Sequence, residues 1–308
     1  MSSYEIIETP NIKRPSDCAT TVSFHKRRPG GVKVSKVLSE NLCNKYGVTR
    51  SALKVQIKIL NSPHLDTNNQ LLSAVDRNLR QHTSPWGDDG RRVLPNTLAF
   101  KVDEWIAMIE KADIEFEKHI EDLPRMKAVF DALPKEMTEG IWFPTPESER
   151  AKYRVSIDRD VIPDWESYNI GGLEGDEKDK FIADIRDSEQ RRMQGVVKDA
   201  AQRTVDVIEK ATEKMDAYGE GIDGKMKGVF RDTLISNIKS LADLLKHLNV
   251  TEDPRLERVR KLIIDKLCAT DAETLRDDPE ARAKFSKDAK KILAEDVLRR
   301  MGDFGSDG

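Results

Sequence analysis

The chain has 308 residues, 38% of them hydrophobic and 35% charged, with a formal net charge of −3. Globular domains average roughly 45–50% apolar and 25% charged, so the composition favours helices with wide solvated faces over a large buried sheet. It also excludes disorder throughout. No apolar run is long enough to cross a membrane as a helix and no charged-then-apolar leader opens the chain, so a cytoplasmic protein without membrane contact is expected.

The charge is unevenly spread. Residues 1–58 carry eleven Lys or Arg against four Asp or Glu, which leaves 41 against 51 for the rest, so a front of +7 precedes a body of −10. A basic end of this kind meets either an anionic partner or the acidic remainder of its own chain. Cys18, Cys43 and Cys268 are widely separated and lack metal-ligand spacing, so three reduced thiols are expected rather than a disulfide framework.

In chain order, residues 1–16 have no periodicity and read as a disordered tail. Thr20 to Phe24 reads as a short strand ending at the basic turn His25-Lys26-Arg27-Arg28-Pro29-Gly30-Gly31. Val34, Val37, Leu38 and Leu42 recur at helical spacing, with Gly47 closing that helix. Leu53, Val55, Ile57 and Ile59 then alternate with Lys54, Gln56 and Lys58, the clearest strand in the chain, with one apolar and one basic face. A helix from about Asp66 to Gln81 follows.

Gln81 to Pro95 is dense in turn formers, yet holds Trp86 and the pair Arg91-Arg92. A mere connector has no need of a large apolar ring, so this segment is expected to fold onto its own core or onto a partner. Asn96 is placed to cap a long helix through Trp105, Phe116 and Ile120, broken at Pro124. A shorter helix ends near Pro134. Ile141 to Pro146 is an aromatic, proline-bounded connector, and Tyr153, Val155 and Ile157 alternate as a second strand.

From Gly175 the pattern becomes helical throughout. A stripe from Phe181 through Met215 predicts a helix on the order of 60 Å long, longer than a small domain is wide. Gly219, Gly221 and Gly224 mark a turn, and a returning helix runs from Met226 to Leu248. The narrow, Ala- and Val-rich stripe predicts coiled-coil-like pairing of the two. Thr251 is expected to open a third helix and Asp278-Pro279 the last. The predicted architecture is α+β but predominantly α, with a sheet-containing head over 17–170, a helical hairpin or bundle arm over 175–300 and a disordered tail over 301–308.

No assembly for chemistry emerges. There is no phosphate loop, because Gly171-Gly172-Leu173-Glu174-Gly175 has acidic neighbours and no preceding strand. His25, His64, His82, His119 and His247 are isolated from one another. Asp88 and Asp89 sit outside any calcium-type loop and read as a turn. Neither catalytic residues, a metal site nor a cofactor is therefore expected. Contact with nucleic acid has support from Lys26, Arg27, Arg28, Lys33, Lys36, Lys54 and Lys58, and from Arg91 and Arg92 beside Trp86. Against it stand the acidic total and the absence of a recognised nucleic-acid motif.

Three stretches, His82 to Pro95, Phe230 to Asn237 running on to Leu248 to Pro254, and Leu275 to Glu280, resemble a family of uncharacterised tailed-bacteriophage proteins. The resemblance spans about residues 65 to 300 and supplies no catalytic residues. It implies a non-virion accessory protein of the infected cell, encoded near DNA-metabolism or ATPase genes. The expected function is therefore non-enzymatic: binding to a protein partner or self-assembly, or alternatively binding or annealing of single-stranded DNA by the basic head. Arg27, Arg28, Trp86, Arg91 and Arg92 are the candidate contact residues.

Overall fold

The computed structural model describes residues 15–87, 89–162, 175–220, 226–227, 233–295 and 298. The expected loose ends fall almost wholly outside these, as do Asp88, Gly171 to Glu174, Gly221, Gly224, Val229 and Phe230. The fold is α+β and mostly helical.

A single turn, α1 (Pro15–Cys18), leads into β1 (Ala19–Arg27), which continues three residues past the expected end at Phe24. Its first half is buried at Ala19, Thr21 and Val22, while His25, Lys26 and Arg27 are exposed. Beyond Gly31 come β2 (Val32–Ser35), α2 (Lys36–Tyr46) and β3 (Val55–Lys58). Val34 therefore lies in a strand rather than in the predicted helix. Ser35 explains the difference: its Oγ accepts the Leu38 N–H as an N-cap, so helix begins only at Lys36. Gly47 ends α2 as expected, at φ 64°, donating its N–H to the Cys43 carbonyl. The predicted alternation in β3 holds, with Ile57 and Ile59 buried and Lys54, Gln56 and Lys58 exposed.

Next is α3 (Pro63–His82), which starts early because Ser62 Oγ accepts from the Leu65 N–H and Pro63 fits the first helical position. The strands β4 (Ser84–Pro85) and β5 (Arg92–Pro95) precede a 3₁₀ turn at Asn96–Leu98. α4 (Lys101–Glu121) begins beyond that turn, so Asn96 does not cap it; the Asn96 amide instead donates to the Asp17 carbonyl at 3.2 Å. α5 (Leu123–Asp131) takes Pro124 into its first turn, and α6 (Lys135–Thr138) is one turn long. Thr145 and Ser148 cap α7 (Pro146–Lys152) reciprocally, and β6 (Arg154–Val161) follows.

The predicted long helix is α8 (Asp176–Ala217), 42 residues. β7 (Gly219–Glu220) pairs with β8 (Met226–Lys227), so Met226 belongs to a strand and the returning helix α9 (Thr233–Leu248) starts later than expected. Asp253, not Thr251, caps α10 (Pro254–Leu262): its carboxylate accepts the Arg255 N–H at 2.8 Å. A π turn (Ile263–Leu267), α11 (Ala272–Asp277) and α12 (Pro279–Leu293) follow, the last two capped by Asp271 and Asp278.

The chain divides into two compact units, residues 1–22, 82–99 and 159–308, and residues 23–81 and 100–158. This division differs from a head over 17–170 and an arm over 175–300, because the Trp86 segment goes with the helices instead of with the rest of the head. In the first unit α8 packs against α12 as well as α9, so the expected two-helix pairing is a larger bundle. Ala200, Ala201 and Ala211 are fully buried and permit close helix approach, while Ile208, Ile238, Leu245, Leu256, Ile263 and Leu267 fill the core. Sheet order is β4-β5-β1-β6, with Ala19 opposite Pro95 and Val22 opposite Arg92.

The second unit holds the separate β2–β3 ribbon, α2, most of α3, and α4 to α7. Its core gathers Ile57, Leu60, Leu65, Phe116, Ile120, Met126 and Phe130. A buried polar set lies beside it: Asn68 Nδ2 donates to the Ala112 carbonyl (2.7 Å) and to Tyr153 Oη (3.0 Å), and Tyr153 Oη donates to Asp113 (2.7 Å). The Tyr153 ring stacks on Phe116 with centroids 3.9 Å apart. Burial and the Asp113 carboxylate push the Tyr153 phenol well above its ordinary value.

Candidate functional site

Residues 83–95 form a hairpin in which Ser84 opposes Val93 and Pro85 opposes Arg92, closed by the Trp86 N–H on the Arg91 carbonyl at 2.9 Å. Gly87 and Gly90, at φ 78° and 82°, turn the chain through conformations that a Cβ disfavours. The Asp89 carboxylate accepts the Arg91 N–H (3.1 Å) and Nε (2.6 Å). That guanidinium holds the Asp89 carboxyl below the usual range.

Trp86 is 2% exposed and packs with Ala19, Val93, Ile162, Val196 and Val250. It is thus folded onto its own core and presents no open stacking face, which corrects the pairing of Arg91 and Arg92 with an accessible ring. The cation that meets the ring is Arg192 of α8, its guanidinium 5.8 Å from the centroid. Arg92 is directed inward: Nε donates to Thr83 Oγ1 (2.7 Å) and Nη2 to the Thr83 carbonyl (2.8 Å). Arg203 donates to the same carbonyl at 2.7 Å and pairs with Asp199 at 2.8 Å. Trp86, Arg91 and Arg92 do lie together, but Trp86 and the Thr83 carbonyl tie the hairpin to α8 through Arg192 and Arg203, and Arg92 braces the hairpin internally.

Arg27 and Arg28 belong to the other unit, where both are exposed and, among the described residues, neither has an ion pair. They open a run, residues 23–58, that holds nine Lys or Arg and one Asp or Glu. Lys26 pairs with Asp76, Arg50 with Glu40 and Lys58 with Asp66. Arg27, Arg28, Lys33, Lys36, Lys45 and Lys54 have no carboxylate partner among the described residues, and all are exposed.

The run folds around the ribbon, where Val32 pairs with Lys58 and Val34 with Gln56. Cross-strand partners share a face, so these four side chains form one surface, and all four are exposed. The opposite face carries Ser35 and Ile57, both buried. Chemically this element can offer guanidinium and ammonium donors to several anionic groups at once, with an amide and two methyl-bearing side chains between them.

Two features went unmarked in the sequence. Trp142, in the connector after α6, is 89% exposed. His119 is fully buried with neither ring nitrogen hydrogen-bonded, near Glu149, whose Oε2 also lacks a partner. Proline and aromatic density flagged the connector without telling which ring turns outward, and an isolated histidine in a helix gives no warning of burial.

Among the described residues no three His, Cys, Asp or Glu side chains gather as a metal-holding group, and no helix is long and apolar enough to cross a membrane. No family model, curated protein or solved structure matches this chain.

Proposed function

We propose that this protein binds nucleic acid, with Arg27, Arg28 and the β2–α2–β3 element as its phosphate-contacting surface. The observation that carries this reading is the nine-to-one excess of basic residues over 23–58, six of them free of carboxylate partners among the described residues. Lysines on an edge ribbon also discourage strand-to-strand aggregation, but that purpose does not account for Arg28, Lys36 and Lys45, which lie outside the strands.

Fluorescence anisotropy of labelled single- and double-stranded oligonucleotides across a salt series tests it. Each neutralised phosphate adds about 0.7–0.9 to the slope of log affinity on log salt. Replacing Arg27 and Arg28 with Ala should lower affinity and flatten that slope by roughly one to two such increments. Absence of binding at low salt, or binding indifferent to both substitutions, sinks the proposal.

A second reading, a protein partner or self-assembly, has one observation in its favour. The first twenty residues of α8, Asp176 to Gly195, include no buried residue, and Phe181 there is 44% exposed. Light scattering that shows only monomer, with no change on Phe181→Glu, removes self-association from this reading. The resemblance to tailed-phage proteins would place either activity, as a non-enzymatic accessory role, in the infected bacterial cytoplasm.

A further inference from the structure

We infer that Trp142 is a base-stacking residue and that the nucleic acid this protein prefers is single-stranded; this rests on the nucleic-acid reading above. An indole that is 89% exposed leaves a large apolar surface in water, which a flat apolar partner would remove from solvent. The exposure is built into the connector. On one side Ile141 donates its N–H to the Thr138 carbonyl at 2.9 Å, just after Gly140 turns the chain at φ 73°. On the other, Phe143 packs its ring against Phe130 with centroids 5.4 Å apart, and Thr145 caps α7 two residues later. Ile141 and Phe143 both pack against the core of this unit, so Trp142 between them is turned outward by anchored neighbours.

The anchoring core is the one that supports the basic element. Leu38 of α2 and Ile57 of β3 join the same cluster as Ile141 and Phe143, and α6, which leads into the connector, packs against α2. Tyr46, at the end of α2, is also exposed, with Lys45 Nζ 5.6 Å from its ring centroid. Outward aromatic rings and unpaired cations are thus carried on one body. Glu136, Glu139 and Glu147 lie close to Trp142 in sequence. They disfavour phosphate at the indole, so what Trp142 receives is the uncharged face of a base while the backbone follows the cations.

Base faces are available only when the strand is unpaired, because a duplex stacks them against each other and exposes edges. Each base stacked on an aromatic side chain contributes about 1–3 kcal/mol, a factor of roughly 5 to 150 in affinity.

The test is anisotropy with the full chain, using one labelled mixed-sequence strand alone and annealed to its complement. Expected for Trp142→Ala is a 5- to 150-fold loss on the single strand, with duplex affinity, salt slope and thermal midpoint unchanged. Trp142→Phe should recover most of the loss. Salt-sensitive single-strand binding that Trp142→Ala leaves untouched overturns the stacking inference while the nucleic-acid reading stands. Equal losses on single strand and duplex also overturn it. Failure of the wild type to bind either probe at low salt removes both.

Discussion

The Arg192 guanidinium lies over the Trp86 ring, 5.8 Å from its centroid. The ring also packs with Ala19, Val93, Ile162, Val196 and Val250, so this arginine places a cation on a buried indole, reached across more than a hundred residues of chain. The pair joins the 83–95 hairpin to the middle of α8, just where burial along that helix begins at Val196.

Because Trp86 fills a core, Trp86→Ala should destabilise the protein by about 3–5 kcal/mol in denaturant unfolding. Arg192→Ala removes only the cation–π contact and side-chain packing, about 0.5–2 kcal/mol. Neither should change nucleic-acid affinity under conditions where the protein is folded. Loss of binding with intact stability in Trp86→Ala would return the ring to a contact role.

Arg92 and Arg203 converge on one acceptor, the Thr83 carbonyl. Arg92 also takes Thr83 Oγ1 through a second nitrogen, a fork that an ammonium cannot reproduce. Arg92→Lys should therefore cost about 1–3 kcal/mol, readable as a lowered urea midpoint, and leave the salt slope of nucleic-acid binding unaltered. A flattened slope at unchanged stability would show that Arg92 meets phosphate after all.

The helices were legible because their signals are local. Periodicity located α3, α8 and α12, and Gly47 marked the end of α2 by the same left-handed geometry that the structure shows. β2 was not legible: Val32 and Val34 are exposed, so no buried face announces the strand, and Val34 also fits the helical spacing of Val37 and Leu38. Caps misled where two candidates competed, as at Asn96, whose amide serves Asp17 instead, and at Thr251, displaced by Asp253. The candidate site was legible as charge and not as geometry. No local signal showed that Trp86 meets Arg192, which depends on packing across more than a hundred residues, or that Arg92 turns inward to Thr83, which depends on the register of the β4–β5 hairpin.

Gly31 and Gly30 give a matched pair for testing the ribbon. The Gly31 carbonyl accepts the N–H groups of Ile59 and Leu60 (2.9 and 3.2 Å), and a Cβ at Gly31 would sit 3.0 Å from the Leu60 carbonyl oxygen. Gly31→Ala should therefore push the ends of β2 and β3 apart, costing about 1–3 kcal/mol and lowering oligonucleotide affinity with it. At Gly30 a Cβ meets nothing within 4 Å, so Gly30→Ala should be neutral or stabilise by up to about 1 kcal/mol through the unfolded chain. Equal behaviour of the two in denaturant unfolding and anisotropy would refute the close approach.

His119 on α4 is fully buried without a hydrogen-bond partner. Burial holds its imidazole below the ordinary value; Glu149 from α7 and Asp122 pull it upward, while His64 from α3 pushes it further down. The native ring is therefore neutral where an unfolded one, with an ordinary value of about 6.5, takes a proton. Stability is complete above that value and falls as pH drops below it, by up to about 1.4 kcal/mol per pH unit until the native ring also protonates. Glu115, Glu117 and Asp122 are held low by Lys118, Arg150 and Arg125. Their contribution is lost only below the ordinary carboxylate values of about 4, in a separate window. His247, also depressed by burial, is common to wild type and variant and cancels in the difference. In urea titrations between pH 7.5 and 5, His119→Phe and His119→Gln should both lose less stability than the wild type. Parallel losses in all three proteins would mean that His119 protonates as freely in the folded state as in the unfolded one.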